Sequence, residues 1–241
     1  MAFSREDSVV NETPDRSESS FSTPPTLASA VVDYLKDAIL AGAYPPGSAL
    51  REIPLSQAVS ASRTTVREAL RVLSDIGLVV IHPRRGASVA SMSPKLVREI
   101  FSLRAVLEPF AIKLALTEGR IRSAELDRIE QAFENLRHTA KDGDAFATIE
   151  ADMGFHWAFC APCGHELLLE QLRSLQTRTR QFIFYTHFYE SDSDGEVESH
   201  MPILMAIRSL EPDRAEAAVH KHIVSVGERL LIRMLDEAKN N

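Results

Sequence analysis

Residues 62–77 read SRTTVREALRVLSDIG, and the fold turns on this stretch. Val66, Ala69, Leu70, Leu73 and Ile76 recur at the three- and four-residue spacing of a helix and share an inward face, while Arg63, Arg67 and Arg71 fall four apart on the outward one. Ser62 is placed to cap the N-terminus, Thr64 and Thr65 put hydroxyls in the first turn, and Gly77 supplies a left-handed residue to end the helix. A first turn of Ser, Arg, Thr and Thr followed by Arg67 gathers free backbone N–H groups, hydroxyls and guanidinium forks at one end, which suits phosphates and base edges. Taken alone, the same pattern also describes a solvated basic helix face, with Arg67 paired to Glu68 or Asp75. The flanking sequence separates the two readings.

Upstream, Leu27, Val31, Tyr34, Leu35, Ala38 and Ile39 form an apolar stripe that ends near Gly42, and AYPPGSAL reads as a Pro-Gly turn. A short helix is predicted from about Glu52 to Val59, joined through Ser60 and Ala61 to the basic helix; two short helices across a tight turn have helix-turn-helix spacing. Downstream, Val79–Ile81 and Ala87–Ala90 read as two short strands around HPRRG, a wing whose tip carries His82, Arg84, Arg85 and Gly86. Such a tip fits a DNA backbone or minor groove, where negative potential favours arginine. Charge points the same way. Residues 51–92 hold six arginines against Glu52, Glu68 and Asp75, although the whole chain of 241 residues carries a formal net charge of −7. An acidic protein does not coat nucleic acid at large, so a local basic patch on one helix and its wing is the informative feature.

Residues 1–25 are rich in Ser, Pro and acids with few large apolar side chains, and a flexible tail is expected there. No uncharged run is long enough to span a bilayer and the N-terminus has no apolar signal core, so no membrane partner and a cytoplasmic location are expected. Cys160 and Cys163 form a lone C-x-x-C without a second pair to complete a four-thiolate zinc site, and they read as two small residues at a helix end.

Beyond Ser93-Pro94, helices are predicted at about 95–118, 123–141, 144–161, 165–188, 196–209 and 212–237, with YESDSDG at 189–195 as an acidic surface turn. Six helices with short connections make an antiparallel bundle. Asp152 and His156 stand one turn apart on one helix, His200 begins another, and His222 sits on the apolar stripe Ala218, Val219, His222, Val226 of the last. Three imidazoles and a carboxylate converging in a bundle core can ligate a divalent ion, and such a set suits zinc, nickel, manganese or iron alike. Separately satisfied core histidines are the alternative. Arg104 lies on the stripe Val97, Ile100, Arg104, Leu107, Ala111, Leu114, where a guanidinium needs an anion, either Glu108 one turn on or a bound ligand.

The order AGAYPPGSALRE, LSQAVSASRTTVREALRVLSDIGLV and HPRRGASV, from Leu35 through Val89, resembles the winged helix-turn-helix of the GntR family of bacterial transcription regulators. The resemblance implies DNA contacts from Ser62, Arg63, Thr64, Thr65, Arg67 and Gly86, to which Arg84 and Arg85 of the wing are added. Thr65 stands where many relatives have Pro, and Ile53 where some place a DNA-contacting Arg, a role Arg51 is positioned to take over. From about residue 95 to 236, Asp-x-x-x-His followed by His and His resembles the FCD ligand-binding domain of the FadR-type subfamily. That resemblance implies a metal held by Asp152, His156, His200 and His222, an effector carboxylate beside it, and an effector contact from Arg104. His165 and His220 fall outside the pattern.

The expectation is therefore a mainly α protein: a winged helix-turn-helix over residues 26–92 and an all-α antiparallel bundle, FCD-like, over 95–238. Its function would be sequence-specific DNA binding as a homodimer on a near-palindromic operator, as a repressor controlled by a small organic acid. Two other classes remain. A metal-dependent hydrolase with an appended winged helix is disfavoured by the absence of HExxH, a phosphate loop or a Gly-x-Ser-x-Gly elbow, and by Glu196 and Glu198 being poor general bases. A pure metal sensor differs from the leading reading in leaving Arg104 without an effector.

Overall fold

A computed structural model describes residues 27–186 and 193–240; the expected tail at 1–25 and most of the acidic turn lie outside them. The first hydrophobic core is small. Helix α1 (Leu27–Leu40), α2 (Glu52–Ala58) and α3 (Arg63–Asp75) pack with a three-stranded antiparallel sheet, ordered β1-β3-β2, of β1 (Ala49–Leu50), β2 (Val79–His82) and β3 (Gly86–Val89). Val31, Leu35 and Ile39 of α1 meet Val66, Ala69, Leu70 and Leu73 of α3, all buried, and Leu55 and Leu78 close the layer. Val79 pairs with Val89 and His82 with Gly86 across the wing hairpin. The Pro-Gly segment is not all turn, because Ala49 and Leu50 add β1 beside Ser88 and Ala87. Two residues are too few to show alternation in sequence.

Ser93 caps the next helix by accepting from Leu96 N–H, and from there the chain is helical: α4 (Pro94–Thr117), α5 (Ser123–Asp142), α6 (Ala145–Cys160), α7 (Glu166–Tyr185), α8 (Ser193–Glu198), α9 (Met201–Arg208) and α10 (Pro212–Asn240). Their inward faces form a second, larger core around Phe133, Phe155, Phe159 and Phe182. The predicted single helix over 196–209 is two helices, and residues 193–195, expected as surface turn, open α8. Pro202 explains the break: in the first turn of α9 its missing N–H costs nothing, whereas in a continuous helix it would remove a bond and clash with the preceding turn. The break leaves His200 as the N-cap of α9. Cys160 ends α6 and Cys163 lies in the short 3₁₀ turn after it; both are free thiols and buried, and burial pushes the Cys160 thiol up.

Candidate functional site

Two constellations stand out, one inside the larger core and one on the surface over the smaller. In the bundle, Arg104 of α4, Asp152 and His156 of α6, His200 and His222 line a single cavity with Ile183, Ile223 and Val226. The cavity holds about 10 Å³ of open space, room for one water or one ion. The nearest ring-nitrogen positions of the three histidines all lie within 4.8 Å of one another. Phe155 supports them from below, meeting the His156 and His200 rings edge-on.

Hydrogen bonds at the far ring nitrogens determine what each imidazole turns inward. His156 Nδ1 lies 2.6 Å from Glu108 Oε2. Burial alone would raise the Glu108 carboxyl, but Arg104 and His156 outweigh it and hold the group down at about 2, so the carboxylate accepts and Nδ1 donates. His200 Nδ1 lies 3.0 Å from the Glu196 carbonyl and His222 Nδ1 3.3 Å from the Ser199 carbonyl; a carbonyl only accepts, so both nitrogens donate. Burial, reinforced by the nearby Arg104 guanidinium, drives the His222 pKa well below its ordinary value and keeps that ring neutral. In this tautomer assignment all three Nε2 atoms carry lone pairs.

Asp152 supplies the negative charge. Its burial is opposed by His200, His156 and Arg104, which hold its carboxyl at about 2. Asp152 Oδ1 lies 2.7 Å from His200 Nε2 and 3.8 Å from His156 Nε2. His200 Nε2 is nevertheless a buried atom without a well-formed hydrogen bond, for all that Asp152 lies close by. With Nδ1 already donating, two lone pairs face each other at that distance, an arrangement a cation between them would satisfy. The donor set therefore fits a divalent metal: three neutral imidazoles, one carboxylate, and outer partners for each histidine, as ligating histidines need.

Arg104 lies between the two readings made for it. Its Nε donates to Glu108 Oε1 at 2.5 Å, the intrahelical partner, while the guanidinium also lines the cavity. Glu108, expected only as that partner, turns out to orient His156 as well, a role the sequence carried no spacing to reveal across 48 residues. His165 caps α7, accepting from Leu168 N–H, and His220 lies in a different cleft between α4 and α10.

On the surface over the small core, α3 and the wing bound a groove of about 910 Å³. Arg51, Arg63, Arg67 and Arg71 line one wall; His82, Arg84, Arg85 and Gly86 line the other. Ser62, Thr64 and Thr65 are not among the lining residues: Ser62 caps α3 by accepting from Thr65 N–H at 3.1 Å and its hydroxyl bonds that of Thr65 at 2.9 Å. Arg84 and Gly86 both have positive φ, which folds the wing tip tightly enough to turn successive arginines outward. Arg67 does not pair with Glu68 or Asp75. Glu52, the first residue of α2, grips it in a two-point fork at 2.8 Å each and also meets Arg63 at 3.3 Å. The Arg67 hydrogen bond outweighs the modest loss of hydration, and with Arg63 it lowers the Glu52 carboxyl to about 2. Fifteen residues separate this pair, so no local pattern announces it.

Residues 27–89 match the family described as bacterial regulatory proteins, gntR family, and residues 99–225 match the FCD domain. The chain belongs to the GntR family, in its FCD-containing branch. A relative from Paenarthrobacter nicotinovorans named "Probable D-xylose utilization operon transcriptional repressor" is 28% identical over 203 residues, covering 84% of this chain and 88% of the relative. The transcriptional repressor GlaR of Escherichia coli K12 is 28% identical over 200 residues, covering 80% and 90%. Among solved structures, E. coli McbR/YncC superposes with a TM-score of 0.75 at 21% identity, covering 87% of this chain and 99% of that one. A GntR regulator from Rhodococcus sp. RHA1 gives 0.74 at 22% identity, covering 85% and 97%; at such identity the likeness speaks for the fold. This GntR protein is a DNA-binding transcription regulator and not an enzyme, which removes the hydrolase alternative. No helix among its described residues is long and apolar enough to cross a membrane.

Proposed function

We propose that this GntR regulator is a cytoplasmic, homodimeric repressor whose bundle binds a divalent metal through Asp152, His156, His200 and His222, with zinc the foremost candidate. The observation that carries the metal reading is the orphaned His200 Nε2, held 2.7 Å from Asp152 Oδ1. Such an ion would add Lewis acidity and open coordination positions for a small carboxylate, with the Arg104 guanidinium on the cavity wall as its second anchor. DNA would be read by Arg63, Arg67 and the Ser62, Thr64 and Thr65 turn at the head of α3, supported by Arg51 and by Arg84, Arg85 and Gly86 of the wing. Dimer formation is supported by the exposed apolar stripe Leu103, Val106 and Phe110 on α4, which a second copy would cover. Two heads then read a near-palindrome.

A second reading, in which the metal alone is the signal, is favoured by one observation: the cavity has room for an ion but not for an organic acid as it stands. One set of titrations separates the readings. DNA affinity is measured on duplexes enriched by the protein from a randomised pool, with metal stripped, with zinc restored, and with zinc plus a panel of small carboxylates. The leading reading expects the switch only in the last condition. Arg67→Ala is expected to abolish specific binding with metal content unchanged, and His200→Ala to lose metal with the head still able to bind DNA. An Arg67→Ala protein that binds like wild type would dismiss α3 as the reader.

A further inference from the structure

Helix α7 touches both halves of the molecule. Toward the bundle, Gln176 Nε2 donates to the Met153 carbonyl at 3.2 Å, next to Asp152 in sequence, and Ile183 lines the metal cavity. Toward the head, α7 presents Arg178 and, two turns on, Phe184 and Tyr185. Arg178 Nε donates to the carbonyl of Ile76, the C-cap of α3, at 3.4 Å. Its guanidinium lies over Gly77, where φ is +82°, and a Cβ on that glycine would collide with the guanidinium nitrogens. The Phe184 ring comes within 2.9 Å of where a Cβ of Gly42 would stand, and the Tyr185 hydroxyl donates to the Tyr44 carbonyl at 3.1 Å. Both glycines thus end a head helix and leave room for an α7 side chain.

This contact is one guanidinium, one ring and one hydroxyl laid on two helix ends, and the two hydrophobic cores it joins are separate. Removing it should leave both folds standing, since interfaces of this kind govern domain placement and not domain stability. In a two-fold dimer the angle of each head fixes the separation of the two recognition helices, and hence the spacing of the half-sites they can read together. We propose that Arg178, aided by Phe184 and Tyr185, is a positioning residue for DNA reading: it sets the angle at which α3 is presented and so determines half-site spacing without touching DNA. The proposal rests on the reading of α3 as the DNA-contacting helix of a dimer.

Full-length wild type and Arg178→Ala, checked for unchanged thermal unfolding, are each used to enrich duplexes from a randomised pool, and affinities are measured by fluorescence anisotropy. Arg178→Ala is expected to enrich the same half-site letters over a broadened range of spacings, and to bind the wild-type-selected duplex at least about fivefold more weakly. Enrichment of the same letters at the wild-type spacing, with unchanged affinity, overturns the proposal. So does loss of binding to an isolated half-site, because a head that is only misplaced keeps that contact. Failure of the underlying reading shows elsewhere, as an Arg67→Ala protein that selects unaltered letters. The contact itself is tested by a cycle with Gly77→Ala, which must displace Arg178 in wild type but not in Arg178→Ala; additive costs for the two substitutions count against it. Tyr185→Phe, which removes only a hydroxyl, should broaden spacing in the same direction and less, and provides the readout if Arg178→Ala does not fold.

Discussion

Glu52 places a carboxylate inside the basic groove, and that position has consequences for both charge and recognition. By gripping Arg67 at two points and meeting Arg63, it fixes the guanidinium plane while cancelling part of the field that attracts phosphates. Glu52→Gln is therefore expected to raise affinity for random duplex roughly two- to fivefold at low salt, the range of an exposed ion pair, and to lower discrimination for the selected site. Salt titration of both affinities checks this. The Glu52 pKa is depressed, so the pair's contribution is present above 4.5 and is lost as pH falls toward about 2. The Glu52 carboxylate carbon should titrate near the lower value by NMR, moving back toward 4.5 in Arg67→Ala. Glu108 plays the comparable part in the bundle. Glu108→Gln takes the charged partner from both His156 and the buried Arg104, and zinc affinity measured by chelator competition is expected to fall roughly 10- to 100-fold.

Helix α3 was legible because its two faces obey one period and both ends carry their own signals, Ser62 at the start and Gly77 at φ +82° after the end. Replacing the cap tests how far that local signal matters: Ser62→Ala frees the Thr65 N–H and should cost about 1 kcal/mol, read as a lower denaturant midpoint for the head. The four proposed metal-binding residues were nameable for a different reason, a resemblance in their order along the chain, and the fold brings Asp152, His156, His200 and His222 to one cavity. What could not be read was pairing at a distance. Glu52 with Arg67, Glu108 with His156 and Arg178 with Gly77 join elements that no periodicity relates. Strand β1 escaped because two residues cannot display an alternation, and the α8–α9 break because Pro202 is compatible with either the start of a helix or a kink within one.

Two separate cores in one chain should respond separately to metal, and the sequence provides a reporter for one of them. The single tryptophan, Trp157, follows His156 on α6 and lies under the Arg173 guanidinium at 4.7 Å, so its fluorescence follows the bundle alone. An ion that binds only the folded bundle stabilises it by about 2.7 kcal/mol when free metal is a hundredfold above Kd. For a unit of this size that is a rise of roughly 5–10 °C in the melting midpoint. Chelation of zinc is therefore expected to lower the Trp157 midpoint by that amount, and zinc to restore it. The head, whose core of α1, α2, α3 and the wing contains none of the four residues, should keep its midpoint, followed by the circular dichroism that remains once the bundle has melted. In His200→Ala the Trp157 midpoint should no longer respond to zinc. A midpoint indifferent to metal in the wild-type protein would instead require a proton, not an ion, between His200 and Asp152, and the bundle would then be a cavity lined by satisfied histidines.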